Sequence, residues 1–223
     1  MPGRDIYHDS QRYNIATVED FSQQADNKHE KMTRGGGWLE PYLARKRARQ
    51  ANALIQDHLR SGRILDVGCG SYPYFLSHTS FQEKFAIDQL APRPTGSPIQ
   101  WYTINLNENP VLPFEDNYFS IVTLLAVVEH LNPTSLTGLF REIFRALMPG
   151  GQVIITTPAA WSDRLLHLMA RLNLVSKEEI DEHVYAYTLP LLGWYFGQGG
   201  FSMHKLQFGY FELRLNMWAT AEK

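Results

Sequence analysis

The stretch Ile64-Leu65-Asp66-Val67-Gly68-Cys69-Gly70 decides how this chain is read. The apolar run from Arg63 to Val67 enters two glycines, the mark of a buried parallel strand that turns sharply at its carboxyl end. Gly68 and Gly70 let the backbone bend and approach a ligand with no Cβ in the way. Asp66 puts a carboxylate near the end of that strand, where burial is costly unless a cation or hydrogen-bond donors meet it. Asp88 follows a second apolar run, Phe85-Ala86-Ile87, twenty positions beyond Gly68. A carboxylate at that place accepts both hydroxyls of a ribose. A dinucleotide loop wants a third glycine, so that a pyrophosphate can sit on a helix N-terminus. Here Ser71-Tyr72-Pro73-Tyr74 fills the space. A cofactor with a ribose, an adenine and an ammonium group but no phosphate fits better.

Outward from this loop, strands and helices alternate. Ile99–Ile104 reads as a third strand, after a Pro/Gly-rich loop at 91–98. Phe119–Leu125 is a fourth, and Gln152–Thr157, rich in β-branched residues, is a fifth. Between them Leu136, Leu139, Phe140, Ile143, Phe144 and Leu147 mark an amphipathic helix from Pro133 to Met148, ended by Pro149-Gly150-Gly151. Upstream, Trp38 to Arg60 lacks glycine and repeats apolar residues at helical spacing, with Pro41 in its first turn. After Pro158 come helical patterns near 161–173, 176–182 and 188–198, then strands at Met203–Phe208 and Phe211–Ala219. The pattern predicts an α/β fold: a Rossmann-like, doubly wound, mostly parallel seven-stranded sheet with helices on both faces. No linker interrupts 38–223, which reads as one domain, with core motifs at 60–160 and an acceptor-side segment at 159–200. Residues 1–37 are polar, end in Arg34-Gly35-Gly36-Gly37, and read as an N-terminal segment or lid, with Tyr7, His8, Tyr13 and Trp38 as its candidate residues.

Composition narrows the function. The 223 residues are 44% hydrophobic and 13% aromatic, enough for a sizeable core. A formal net charge of −2 gives no general pull toward nucleic acid or an anionic membrane. The one basic run, Arg45, Lys46, Arg47 and Arg49, reads as a solvated helix face in preference to a site for an acidic substrate. The single cysteine, Cys69, excludes an internal disulfide and reads as a small buried filler. The opening residues have no apolar core of a signal peptide, and no run of 18 apolar residues spans a bilayer. The expected compartment is the cytoplasm. No zinc-like Cys/His spacing, Walker loop or G-x-S-x-G elbow occurs. Nor does an Asn/Asp-Pro-Pro-aromatic stretch that could hold a flipped base.

At these residues the chain resembles the class I S-adenosylmethionine-dependent methyltransferases, particularly the small-molecule branch that includes ubiquinone/menaquinone-type enzymes. Ile64–Gly70 is similar to that family's first motif, and Asn105–Ser120 to its adenine-side segment. Val128-Glu129-His130-Leu131 is similar to the motif after the fourth strand, and Phe140–Pro158 to the helix, turn and fifth strand. The resemblance covers about residues 60–160. It implies S-adenosylmethionine as cofactor, held by Asp66, Gly68, Cys69, Gly70, Asp88, Gln89, Asn105, Leu106 and Ala126. Asp66 would help anchor the ammonium group, Asp88 the ribose, and Asn105 and Leu106 would flank the adenine. Asn105 stands where many relatives carry Asp, and an amide still offers an acceptor oxygen.

The acceptor side is less determined. Glu129 and His130 follow a buried strand at the sheet's carboxyl end, where ligands bind in such folds, and His130 is either a pocket residue or a structural histidine. His183-Val184-Tyr185-Ala186-Tyr187 either borders the acceptor pocket or packs on the sheet. His130 and His183 are the candidate bases for an oxygen acceptor, with Glu129, Tyr185 and Tyr187 as substrate contacts. The expected function is methyl transfer to a small-molecule or glycan-type acceptor on oxygen. The alternatives are a quinone-type C-methyltransferase and a non-catalytic S-adenosylmethionine-binding module, with an NAD-dependent reductase excluded by the Ser71–Tyr74 loop. Oligomeric state is not readable.

Overall fold

The computed structural model describes residues 14–16, 38–90, 98–177, 180 and 185–223. Its strands are β1 (Asn14–Ala16), β2 (Arg63–Val67), β3 (Glu83–Asp88), β4 (Gln100–Thr103), β5 (Phe119–Leu125), β6 (Leu147–Pro158), β7 (Leu206–Phe211) and β8 (Asn216–Glu222). They form one sheet in the order β1-β4-β3-β2-β5-β6-β8-β7. The five strands from β4 to β6 run parallel, while β8 pairs antiparallel with β6 and β7 with β8. These are the seven strands that the hydrophobic pattern predicts. The eighth, β1, adds three residues antiparallel to the β4 edge, inside the segment read as a polar lead-in. The remainder of 1–37 lies outside the described residues, as do the loop at 91–97 and the segments 178–179 and 181–184.

Helices cover both faces, as the alternating side chains of the strands require. Leu65, Phe85, Ile87, Val122, Val153 and Ile155 point to one face, where they meet α3 (Pro133–Ala146) through Leu136, Leu139, Phe140 and Ile143. The aromatic helix α5 (Leu189–Gly199) joins the same core through Leu192, Tyr195 and Phe196. Their neighbours Ile64, Ala86, Ile121 and Ile154 point to the other face, against Ala48 and Ala51 of α1 (Glu40–Leu54) and Phe75 and Leu76 of the short α2 (Tyr74–Ser77). A two-residue period therefore assigns each strand side chain to one of two cores. Beside α1, α4 (Asp163–Arg171) builds a small third cluster from Leu166, Met169 and Ala170 with Leu43, Val175 and Ile180.

The larger departures from the boundaries read in the sequence are three. The first helix ends at Leu54, and a 3-10 turn over Asp57–Ser61 carries the chain into β2. Strand β6 begins at Leu147, because a register shift between Phe119 and Ile121 of β5 accommodates the Pro149-Gly150-Gly151 corner within the strand. The two closing strands lie several residues later than expected, divided by a turn in which Glu212, Leu213 and Arg214 all have positive φ. No helix among the described residues is long and apolar enough to cross a membrane.

The α3–α5 contact locks one helical layer together. Phe140 packs edge-on to Phe196 at 5.0 Å, and a Cβ on Gly199 would lie 2.9 Å from Phe140 Cβ. Phe140→Ala should cost about 3–5 kcal/mol in urea unfolding, with little change in m-value. A loss under about 1 kcal/mol would show that this layer repacks freely.

Candidate functional site

Strand order reverses between β2 and β5, and there the carboxyl ends of the parallel strands open into a cleft of about 1160 Å³. Each strand end delivers side chains to it. From the end of β2 and the bend beyond it come Asp66, Gly68, Cys69 and Gly70; from the end of β3, Asp88 and Gln89; after β4, Asn105 and Leu106; after β5, Ala126, Glu129 and His130. All of these were singled out in the sequence, and the fold brings them to one cavity.

Backbone geometry at the bend explains its glycines. Gly68 has φ +71°, and a Cβ there would lie 2.5 Å from Val127 Cγ2. Its N–H donates to Ile87 O at 2.7 Å, tying the bend to the end of β3. Gly70 also has a positive φ, +69°, but a Cβ there would meet nothing within 4 Å. One glycine is thus required by its neighbour, the other by its conformation over open space. Across the cleft Ala126 holds φ +60°, a strained value for a residue with a Cβ, at the point where β5 gives way to the Val128–His130 turn.

The two aspartates differ in their chemistry. Asp66 is 3% exposed, and Thr123 Oγ1 on the adjacent strand donates to its Oδ1 at 2.6 Å. Burial pushes its carboxyl up to about 7, against the pull of the Thr123 bond, and the nearby Asp88 charge adds to the rise. Asp88 is satisfied by backbone instead: Gly70 N–H donates to Oδ2 at 2.8 Å and Leu90 N–H to Oδ1 at 2.9 Å. It caps the following turn and fixes the glycine bend at once. Burial first, and then the charges of both carboxylates, push the thiol of Cys69 up.

Asn105 closes a turn on itself, accepting Asn107 N–H at 3.1 Å and donating to Glu108 Oε1 at 2.8 Å. Its amide oxygen keeps a second lone pair. Glu129 is 2% exposed, and its Oε2 accepts from Thr157 Oγ1 of β6 at 3.0 Å. Neighbouring His130 is part-buried and is braced through its carbonyl, which accepts from Asn107 Nδ2 at 3.1 Å.

The remaining sequence candidates lie elsewhere. Tyr187 is buried in the main core beside Tyr195 and outside the cleft lining, its hydroxyl raised chiefly by burial. Tyr185 is exposed and also outside that lining, with its N–H directed at Glu129 O at 3.4 Å. His183 lies outside the described residues. Conversely, Lys46, Arg47 and Gln50 of α1 line the cleft, as do Phe211–Leu213 and Asn216 of the closing hairpin. The basic run was legible in the sequence, but its direction was not. The hairpin gave no signal, because its approach to the cleft is set by antiparallel pairing with β6.

Comparison with known proteins agrees with this architecture. Residues 37–206 match the family model described as a methyltransferase domain, and the chain belongs to that family. It is a methyltransferase whose methyl donor is S-adenosylmethionine. A SAM-dependent methyltransferase from Archaeoglobus fulgidus superposes with a TM-score of 0.61 at 15% identity, covering 81% of this chain and 94% of that one. An S-adenosylmethionine-dependent methyltransferase from Mesorhizobium loti gives 0.55 at 16% identity, covering 84% and 99%. One from Methanosarcina mazei gives 0.55 at 17% identity, covering 78% and 96%. No curated protein matches by sequence.

The cleft fits this cofactor on its own terms. Asp66 is buried with its carboxyl raised to about 7, a Cβ on Gly70 would meet nothing within 4 Å, and both strand-end aspartates line the same cavity, a donor set suited to a ligand with an ammonium group and a ribose.

Two measurements test this geometry. Because the folded pKa of Asp66 lies above its unfolded value, the stabilisation from its proton is complete below about pH 4 and is lost as pH rises through about 7. Asp66→Asn keeps an oxygen for the Thr123 hydroxyl. The cofactor-free variant should therefore melt on the order of 5 °C above wild type near pH 8.5, and within about a degree of it near pH 4.5. Parallel pH profiles for the two proteins would refute the assignment. Separately, Gly70→Ala should cost only the strain of a left-handed residue, about 1–2 kcal/mol. Gly68→Ala should cost clearly more, because Val127 must also move; equal losses in denaturant titrations would contradict the 2.5 Å approach.

Proposed function

We propose that the chain transfers the methyl group of S-adenosylmethionine to a hydroxyl oxygen of a small-molecule or glycan-type acceptor. The observation that carries the proposal is the convergence of Asp66, the Gly68–Gly70 bend, Asp88 and Glu129–His130 on one cleft. In this reading Asp66 pairs with the ammonium group, while Gly68 and Gly70 admit the methionine portion against bare backbone. Asp88 spends the remaining lone pairs of its oxygens on the ribose hydroxyls. Asn105 and Leu106 flank the adenine, with Gln89 and Ala126 completing the lining.

When bound, the cofactor supplies a methyl group already activated on a sulfonium, so the protein's own contribution is positioning, water exclusion and proton removal. Glu129, fixed by Thr157, orients the acceptor hydroxyl with a carboxylate oxygen. His130, beside it on the same turn, takes the hydroxyl proton on a ring nitrogen. A positioned base of this kind typically contributes roughly 10²–10⁴-fold. His130→Ala would then lower turnover while leaving cofactor affinity in place.

Calorimetry with S-adenosylhomocysteine is the direct test. Asp88→Ala should weaken binding at least about 30-fold, equivalent to roughly 2 kcal/mol for a lost charged hydrogen-bonded pair. Unchanged affinity in a variant that still folds would remove the ribose assignment. Side-by-side turnover of hydroxylated sugar-nucleotide and quinone-precursor acceptors decides the acceptor class, and methylation at carbon alone would overturn the oxygen reading.

A further inference from the structure

We infer that the methyl acceptor carries an anionic group, phosphate or carboxylate, on an apolar body, and that Lys46 and Arg47 of α1 receive that group. The inference rests on the methyl-transfer reading above and names the chemistry of its second substrate.

The basic run on α1 is divided between solvent and the cleft. Lys46 and Arg47 are both only part-exposed and line the cleft together with Leu43, Gln50 and Ala53. The spacing 43, 46, 47, 50 and 53 is that of one helical face, so the fold turns two cations of the run inward. Arg45, by contrast, is exposed and absent from the lining, and Arg49 is exposed at its rim. Among the described residues neither Lys46 nor Arg47 forms an ion pair; Lys46 sits 5.3 Å over the ring of Tyr42.

Two carboxylates, Glu40 and Glu212, line the cleft beside these cations. Glu40, buried on the same helix, accepts Ser176 N–H at 2.6 Å. Glu212, on the β7–β8 turn opposite, accepts Asn216 Nδ2 at 2.7 Å. Burial raises the Glu212 carboxyl, and the charges of Arg47 and Lys46 partly oppose that rise, which places both cations within electrostatic reach of it. Among the described residues, one carboxylate in electrostatic reach of two cations leaves positive charge over, in a part-buried place where an uncompensated ion is costly. An anion entering the cleft relieves that cost.

The neighbouring lining specifies the rest of the ligand. Leu43, Leu166, Met169, Val175 and Ile180 pack as an apolar cluster and border the same cleft. A small inorganic anion would leave that surface wet, whereas an anion joined to an apolar body covers it. The acidic wall with Asp66 and Asp88 takes no part, since it faces the cationic end of the methyl donor in the reading above.

The test uses full-length protein saturated with S-adenosylhomocysteine, titrated calorimetrically with octyl phosphate, octanoate, octanol and inorganic phosphate. Octyl phosphate or octanoate should bind at least about tenfold more tightly than octanol or inorganic phosphate, with affinity falling as salt is raised. Lys46→Gln/Arg47→Gln should weaken the anionic amphiphile at least about tenfold. Lys46→Arg/Arg47→Lys should restore most of it, and S-adenosylhomocysteine affinity should hold within about twofold in both variants. Equal binding of octyl phosphate and octanol, or indifference to the double glutamine variant, would overturn the inference. Preference for inorganic phosphate over the amphiphiles would overturn its apolar half. Failure of wild type to bind S-adenosylhomocysteine would strike instead at the methyl-transfer reading, so the two failures are distinguishable.

Discussion

The close approach of Gly68 to Val127 is the constraint on which the site depends. It brings the end of β2 under the turn that follows β5, while the Gly68 N–H bond to Ile87 O brings in the end of β3. Three strand ends are thereby held at one point, and each delivers its polar residues to the same cavity. A side chain at position 68 would separate two of these strands and draw Asp66 away from the residues of the turn at 128–130. The hydrogen bond between Thr123 and Asp66 depends on the same register, since the two residues are partners across the β2–β5 pairing.

Around this point, stability and function use different parts of the molecule. The apolar halves of the strands and helices α1, α3 and α5 form two dry cores on either face of the sheet. At the carboxyl edge the same strands carry buried acids, left-handed residues and a thiol, features that stabilise nothing by themselves. Asp66 held near neutrality and Ala126 at φ +60° are local costs. Such costs persist because the surrounding sheet over-determines them.

The fold was largely legible because its signals are local. β2 and β5 fall on the residues predicted for them, and α3 starts at the predicted proline. The cofactor-side residues were legible for the same reason, being placed by strand ends within the span of recognisable motifs. What escaped was non-local. The inward turn of Lys46 and Arg47 depends on how α1 docks against the sheet, which one helix's pattern leaves open. The burial of Tyr187, read as a cleft residue or a packing one, follows from its bridge to Ala159 and its contact with α5. The β7–β8 turn reaches the cleft only because β8 inserts between β6 and β7.

The presence of both signs of charge in the lining of one cavity has a further consequence. Asp66 and Asp88 line it, and so do Lys46 and Arg47. A cavity of two signs sorts molecules by charge before shape is tested, since each pair attracts one kind of ligand and turns away the other. Such a field acts within about a Debye length, roughly 8–10 Å at ordinary ionic strength. Orientation thus begins at the mouth, and a molecule that arrives reversed is expelled by the same charges that retain it when correctly aligned.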